Sequence, residues 1–336
     1  MSHVDLGFSE ECEPWEVESY LFPSKIGGKP AWLDLENLPP VEKLLCDVCK
    51  QPTIFLCQIY APFEEDDENF HRTIFIFICR EPKCCLPNSS SNIKTFRSSL
   101  RRQNKFYPYD PPEDKRDPDF TLAKWVKLCN LCGCLSEKQC SKCKKVSYCS
   151  REHQIVDWKQ GHKNECEKEE TNRVSSKLFP EYEIVIEAEE INEKNVDEKE
   201  EMDKYRQLVL DGKTGTMSNI ADNDIEKYAM IDNDKAFARF KKRIADNTGQ
   251  ILRYKRNGEP LWIASGPTPD TVPNCDYCGA PRHYEFQIMP QLLTVLHEHE
   301  LDIGVVAVYT CSKSCIEGDN YKKEFVFKQD VAINAL

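Results

Sequence analysis

Gly28-Lys-Pro-Ala-Trp32 returns late in the 336-residue chain as Gly258-Glu-Pro-Leu-Trp262. In both copies a Cys-x2-Cys pair begins 13 or 14 residues after the tryptophan, and a Gln-Ile step lies nine residues beyond that pair. An apolar run that ends in a cysteine comes next, and a last cysteine closes each copy. Because five features keep the same order, they indicate an internal duplication.

The apolar runs at Arg72–Ile78 and Ile303–Tyr309 are rich in β-branched and aromatic residues. Such runs predict buried strands, and we expect the two copies to pair through them. Most of the remaining apolar pattern outside the centre of the chain is also strand-like. The expected fold is therefore α+β and mainly β: a discontinuous, duplicated β-rich domain that carries a small insertion.

Composition divides the chain into four regions. Residues 1–128 form the N-terminal half of the β-rich domain, 129–166 a compact cysteine- and histidine-rich module, and 250–336 the C-terminal half. Residues 167–249 should contain a strand at Glu183–Glu187, an acidic and partly disordered linker, and a helix that starts near Asp234 and buries Phe237, Phe240 and Ile244. A further helix should follow Pro290, with proline in its first turn.

Eighteen cysteines are the most informative feature of the composition. The N-terminus has neither the basic region nor the apolar stretch of a secretory signal, so we expect a cytoplasmic and nuclear protein. In a reducing compartment, closely paired cysteines indicate metal binding rather than disulfides. No apolar run has the length needed to cross a bilayer, so no membrane contact is expected.

The net charge is −12. Nucleic-acid affinity depends on neutralising phosphates, so this balance argues against direct nucleic-acid binding. Between Glu181 and Tyr205 there are 11 acidic and 3 basic residues. This segment is either a spacer that keeps the chain soluble or an arm that binds a basic client. The candidate client-binding residues are Glu189, Glu190, Glu193, Glu198, Glu200 and Glu201.

The central module contains eight closely spaced metal-ligand residues. Thiolates and imidazoles favour Zn²⁺ over hard cations, and eight ligands suit two closed tetrahedral sites that leave no position for a catalytic water. A module this small should need its metal to fold. The ligands are Cys129, Cys132, Cys140, Cys143, Cys149, His153, His162 and Cys166.

Each copy of the duplicated unit offers one further set of four cysteines. A zinc ion could join each Cys-x2-Cys turn to the end of a buried strand; reduced cysteines in a core are the alternative. Spacing does not separate Cys84 from Cys85 as the fourth ligand of the first set. The two sets are Cys46, Cys49, Cys79 and Cys84, and Cys275, Cys278, Cys311 and Cys315.

The order of pairs in the central module, its Tyr148-Cys149 step and its ending His162-x3-Cys166 resemble a MYND zinc finger. The resemblance implies interleaved sites, with Cys129, Cys132, Cys149 and His153 on one zinc and Cys140, Cys143, His162 and Cys166 on the other. MYND fingers usually have cysteine where this chain has His153. They generally bind proline-rich peptides on a surface that corresponds to Gln154 and Trp158; packing on the zinc core is the alternative role for Trp158.

The whole chain resembles the programmed cell death protein 2 family. The resemblance is carried from end to end, by Phe22-Pro-Ser-Lys-Ile-Gly-Gly-Lys-Pro-Ala-Trp32, the finger, Leu178-Phe-Pro-Glu-Tyr-Glu-Ile-Val-Ile-Glu187, and Glu285-Phe-Gln-Ile-Met-Pro-Gln-Leu-Leu293. It implies a zinc-binding dedicated chaperone for a small-subunit ribosomal protein with an Arg/Gly-rich extension, acting in 40S ribosome biogenesis. The competing hypothesis is a nuclear co-regulator whose finger recruits proline-rich transcription factors. Without a matching catalytic motif, we do not expect an enzyme.

Overall fold

The computed structural model describes residues 3–166, 168, 175–190 and 235–331. Strands dominate these ranges, as the sequence predicts. They are, in chain order, β1 (Asp5–Glu10), β2 (Lys25–Ile26), β3 (Ile54–Tyr60), β4 (His71–Ile78), β5 (Ile93–Leu100), β6 (Lys138–Gln139), β7 (Ser147–Tyr148), β8 (Tyr182–Ala188), β9 (Leu252–Tyr254), β10 (Arg282–Ile288), β11 (Val305–Cys311), β12 (Tyr321–Lys323) and β13 (Phe325–Gln329).

Eleven strands form one antiparallel sheet in the order β12-β5-β4-β3-β2-β8-β1-β9-β10-β11-β13. Its two outermost strands are consecutive in the chain, separated by Glu324 alone. The backbone N–H of Glu324 donates to the Thr95 carbonyl at 3.0 Å. The sheet therefore curls round until its edges meet, in a nearly closed barrel, and such closure removes the exposed edges that would otherwise pair with other chains.

The duplication predicted from the sequence is visible in detail. Both β3 and β10 carry a bulge two residues before the repeated glutamine. The side-chain amide of Gln58 bonds to the backbone N–H and carbonyl of Ala31, and that of Gln287 does the same with Leu261. Each glutamine thus fixes the residue before its tryptophan, which explains why these features recur together.

The two copies do not pair through β4 and β11, so that expectation is wrong. Instead they meet through β1 and β8, which pair over the full length of β1, from Asp5 opposite Ala188 to Glu10 opposite Glu183. Strand β8 also pairs with β2, and β1 with β9. The joint is therefore made by two strands that lie outside both repeats, and β12 completes it by pairing with β5.

Helices are few and short in the described ranges. They are α1 (Arg151–Asp157), α2 (Lys163–Glu165), α3 (Lys235–Ile244) and α4 (Gln291–Val295), with a wider π-type turn at Trp158–His162. Short 3-10 turns lie at Ser19–Leu21, Val41–Leu44, Asp67–Asn69, Pro82–Cys84 and Leu122–Lys124. Helix α4 follows Pro290, as predicted, and α3 packs Phe240 against Met289 and Val305. None of the described helices has the length and apolar character that a membrane crossing requires.

One continuous core joins both copies. On one face of the sheet Ile74 and Ile76 pack in the same cluster as Phe286 and Val308, all of them fully buried. On the other face of the first copy, Trp32 stacks near the rings of Phe75 and Phe77, at centroid distances of 5.3 and 5.8 Å. Burying a large apolar side chain contributes about 1.5–3 kcal/mol, so the shared core binds the two halves into one folding unit.

Candidate metal centres and acidic surfaces

Four groups of cysteine and histidine side chains are capable of holding zinc. Within each group the four ligand atoms lie within 4.8 Å of one another. The groups are Cys46, Cys49, Cys79 and Cys84; Cys129, Cys132, Cys149 and His153; Cys140, Cys143, His162 and Cys166; and Cys275, Cys278, Cys311 and Cys315.

The spacing of the ligand atoms fits a four-coordinate zinc ion. Zinc–sulfur bonds of about 2.3 Å at tetrahedral angles place two sulfurs about 3.8 Å apart. The sulfurs of Cys132 and Cys149 are 3.6 Å apart, and those of Cys140 and Cys166 are 3.8 Å apart. A disulfide needs about 2.05 Å. The thiol pairs are therefore placed for a shared metal and not for direct bonding.

The same backbone turn presents the first two ligands in all four sites. After each Cys-x2-Cys pair, the next residue has a positive φ: 59° at Lys50, 72° at Gly133, 55° at Lys144 and 72° at Gly279. Its N–H donates to the carbonyl of the first cysteine of the pair at 2.9–3.0 Å. This left-handed residue closes a tight turn that points both thiols inward, and two of the four are glycine because glycine adopts that conformation without strain.

The remaining ligands of the finger come from α1 and the segment after it. Ser150 caps α1 by accepting the N–H of His153 on its hydroxyl at 3.1 Å. This cap directs His153 Nδ1 toward the sulfur of Cys149, 3.1 Å away. Farther on, Gly161 has a φ of 149° and kinks the helical segment, and His162 Nε2 lies 3.7 Å from the sulfur of Cys143. The interleaved pairing implied by the resemblance matches this arrangement.

The geometry decides between Cys84 and Cys85 as the fourth ligand, a choice that spacing alone leaves open. Cys84 is fully buried and completes the group with Cys46, Cys49 and Cys79, which we call the first flanking group because it precedes the finger in the chain. Cys85 points away, and its thiol donates to the Asp302 carbonyl at 2.9 Å.

Three other cysteines also lie outside the groups. Cys134 is buried within the finger, Cys57 lies in β3, and Cys12 is partly exposed.

The finger docks on the first copy through Trp32. The indole Nε1 of Trp32 donates to the Gly133 carbonyl at 2.7 Å, and Trp32 has no exposed surface. A side chain on Gly133 would place its Cβ 2.8 Å from the Cβ of Lys29. Gly133 therefore serves two purposes: it closes a zinc turn and it allows close approach to the β-rich domain.

The predicted peptide-binding residues lie next to each other on the finger. Gln154 is in α1, and Trp158 follows that helix directly. Trp158 packs partly on the core and lies edge-on to His162 at 5.8 Å. Ile155 between them is 42% exposed. The site therefore combines a structural contact at Trp158 with an accessible apolar neighbour.

The predicted acidic arm is only partly described. Glu193, Glu198, Glu200 and Glu201 lie outside the described residues, and Glu190 is exposed. Glu189 is placed differently from the expectation, since its side chain is 4% exposed and pairs with Arg253 at 2.8 Å and Arg243 at 2.6 Å. These ion pairs hold α3 against β9. Glu189 thus has a partner within the chain and is not free for a client.

The structure brings together a carboxylate patch that no sequence pattern indicates. It consists of Glu10, Glu16, Asp114 and Glu183. Glu10 and Glu183 lie directly opposite each other on β1 and β8. Burial raises the pKa of the Glu183 carboxyl, and Glu16, Glu10 and Asp114 raise it further. Sequence alone does not group these four carboxylates, because the three chain segments that meet here are far apart in sequence.

Known protein families match three parts of the chain. Residues 3–114 match the N-terminal domain of programmed cell death protein 2, residues 234–330 match its C-terminal domain, and residues 129–166 match the MYND finger. No solved structure matches.

Related proteins match this chain over most of its length. "Programmed cell death protein 2" of Mus musculus is 42% identical over 98% of this chain and 96% of its own length. "Programmed cell death protein 2-like" of Homo sapiens is 29% identical over 87% of this chain and 85% of its own. "Probable 20S rRNA accumulation protein 4" of Schizosaccharomyces pombe is 22% identical over 93% of this chain and 91% of its own. The chain, with its duplicated β-rich domain and inserted MYND finger, belongs to the programmed cell death protein 2 family.

Proposed function

We propose that this chain is a zinc-dependent chaperone that escorts a basic small-subunit ribosomal protein with an Arg/Gly-rich extension, in the cytoplasm and nucleus, during 40S subunit biogenesis. A relative named for 20S rRNA accumulation supports a role in ribosome biogenesis. The net charge of −12 supports a basic client, because complementary charge speeds association and disfavours other partners. On this proposal zinc organises the fold, and binding takes place on the protein surface.

The observation that carries the proposal is the carboxylate patch. Like charges placed opposite each other on neighbouring strands destabilise a sheet. Among the residues that the structure describes, none of Glu10, Glu16, Asp114 and Glu183 forms an ion pair. The fold tolerates this repulsion at the strand pair that joins its two halves. A basic client would relieve the repulsion when it binds.

Charge substitution tests the patch directly. The combined variant Glu10→Gln, Glu16→Gln and Glu183→Gln should bind the ribosomal client about tenfold more slowly at low salt, with a weaker salt dependence, because steering depends on charge. Its zinc content should stay at four per chain. The matched control removes three exposed carboxylates elsewhere, at Glu42, Glu137 and Glu317. Equal association rates for both variants would refute a specific role for the patch.

A second variant separates the patch from the acidic arm. It replaces Glu190, Glu193, Glu198, Glu200 and Glu201 with Gln and leaves Glu189 in place, because Glu189 is paired with Arg243 and Arg253. If only this variant slows capture, the arm and not the folded patch attracts the client. If neither variant does, the surface charge serves solubility.

The finger supports a second candidate function, the recruitment of proline-rich segments of nuclear regulators. The exposed Ile155 beside Gln154 and Trp158 favours it, since an accessible apolar side chain next to an aromatic ring suits a proline-rich ligand. Trp158→Ala is the test. Loss of ribosomal-client binding in this variant would move the client site onto the finger. Loss of proline-rich peptide binding alone would give the finger a separate role.

A further inference from the structure

The duplication places two tryptophans in equivalent positions with different surroundings. Gln58 fixes the residue before Trp32, and Gln287 fixes the residue before Trp262. Trp32 is fully buried, and its Nε1 donates to the finger at Gly133. Trp262 is only partly buried. Within the described residues its Nε1 has no acceptor.

Trp262 belongs to an aromatic face on the second copy. It lies edge-on to Phe327 at 5.8 Å, above Tyr284, Ala307 and Tyr309. Phe325 and Phe327 are partly exposed at the same place. In the first copy the corresponding tryptophan is fully buried, between Tyr321 at a centroid distance of 5.1 Å and the finger at Gly133. The second copy leaves its tryptophan and the neighbouring rings partly exposed.

The surroundings of Trp262 define what would cover it. An indole N–H at an interface seeks an acceptor, and in the first copy this acceptor is the carbonyl of a glycine whose missing side chain permits the contact. Glu259 lies three residues before Trp262, is exposed, and forms no ion pair within the described ranges. Burial, and then the nearby Glu259 carboxylate, raise the pKa of Tyr309 to about 12. Aromatic faces beside a carboxylate suit a guanidinium group.

We propose that the face formed by Glu259, Trp262, Phe325 and Phe327, with the buried Tyr309 beneath it, is a docking site for a segment of a partner protein that contains arginine and glycine. A glycine carbonyl accepts the hydrogen bond of Trp262 Nε1, and an arginine lies on the aromatic rings against Glu259. This inference deepens the proposed function, on which it rests for the client, and gives the client's extension a binding surface distinct from the carboxylate patch.

The test uses the full-length, zinc-loaded protein and a synthetic peptide of Arg-Gly-Gly repeats. Trp262→Ala should weaken peptide binding tenfold or more, as truncation of a central aromatic anchor does. Trp262→Phe keeps an aromatic ring but removes the N–H donor, so it should also weaken binding. This variant keeps the test valid if the alanine variant folds poorly. Glu259→Gln should weaken binding and flatten its salt dependence. Trp125→Phe, at a tryptophan that is 36% exposed elsewhere, is the control.

Changes in the peptide test each contact separately. Replacing arginine with lysine should weaken binding, because the lysine ammonium is not planar and cannot stack on an aromatic ring as a guanidinium does. Replacing glycine with alanine should weaken it because a Cβ prevents close approach to the indole. Equal binding by the wild type and both Trp262 variants would overturn the proposal. So would an indole N–H of Trp262 that is already protected from solvent exchange in the free protein, since the chain itself would then cover this face.

The outcomes also separate this inference from the proposed function. If the intact ribosomal client binds both Trp262 variants as tightly as the wild type, the docking site is wrong and the chaperone function stands. If the client does not bind the wild type but the peptide binds at Trp262, the proposed function fails and the docking site remains for another partner.

Discussion

Arg72 and Glu285 show how far single residues link the two halves. They lie on β4 and β10, which are not neighbours in the sheet, and both side chains are fully buried. Arg72 Nη2 donates to Glu285 Oε2 at 2.6 Å. Burial alone would raise the pKa of Glu285, but the charge and hydrogen bonds of Arg72 lower it to about 2. The pair is therefore ionised at neutral pH and connects the halves across the interior.

Removing one partner of this pair should be costly. Glu285→Gln leaves the Arg72 charge buried and unpaired, and we expect a loss of about 3–5 kcal/mol in the free energy of unfolding. Urea denaturation of the zinc-loaded protein measures it. Glu36→Gln, which breaks the exposed pair between Glu36 and Lys105, is the control and should cost under about 1 kcal/mol. Similar small losses in both variants would contradict the role of the buried pair.

Zinc content distinguishes the two adjacent cysteines near the end of β4. Cys84→Ser should lower the zinc content from four ions to three, because Cys84 completes the first flanking group. Cys85→Ser should leave four, since its thiol contacts the Asp302 carbonyl instead. Metal analysis of the purified variants measures both. Three ions in the Cys85 variant, or four in the Cys84 variant, would reverse the ligand assignment.

At the scale of elements, the zinc-binding turns were the most predictable part of the molecule. Each turn is local: a Cys-x2-Cys pair followed by a left-handed residue, so the spacing alone indicates it. The choice between Cys84 and Cys85 was not predictable, because it depends on the contact of Cys85 with Asp302, which is distant in sequence. The role of Glu189 was hidden for the same reason, since Arg243 and Arg253 reach it only in the folded chain.

The finger is an element whose removal should be tolerated at a measurable cost. Replacing residues 129–166 with a Gly/Ser linker should leave two zinc ions and a cooperative unfolding transition. Because the buried Trp32 loses its hydrogen-bond acceptor at Gly133, we expect a loss of about 1–3 kcal/mol in the free energy of unfolding. Gly133→Ala is the companion variant, which strains both the left-handed turn and the contact with Lys29. Four zinc ions should stay bound, because Lys50 and Lys144 close the equivalent turns with a side chain present. A deletion variant with no cooperative transition would show that the finger is essential to the fold.

At the scale of the whole molecule, the sequence predicted the duplication and the mainly β class but not how the copies join. The repeats are recognisable because each fixes its own tryptophan, glutamine and cysteines by local contacts. The joint is formed by β1 and β8, which lie outside the repeats. The sequence predicts the strand at Glu183–Glu187 but not its partner. Closure by β12 was equally hidden, since three residues from Tyr321 to Lys323 give no periodic signal of their own. Long-range pairing of this kind leaves little trace in a single sequence.

This joint predicts where the chain can be divided. Fragments 1–190 and 235–336 together contain every strand that the structure describes, so when expressed together they should copurify and bind four zinc ions per pair. Fragments 1–128 and 250–336 lack β8, which lies between β1 and β2 in the sheet. We expect this second pair to be unstable, separately or together, because β1 then has only its three-residue pairing with β9. Size-exclusion chromatography with metal analysis compares the two pairs, and a well-folded, monomeric 1–128 fragment would refute a fold that depends on the β1–β8 joint.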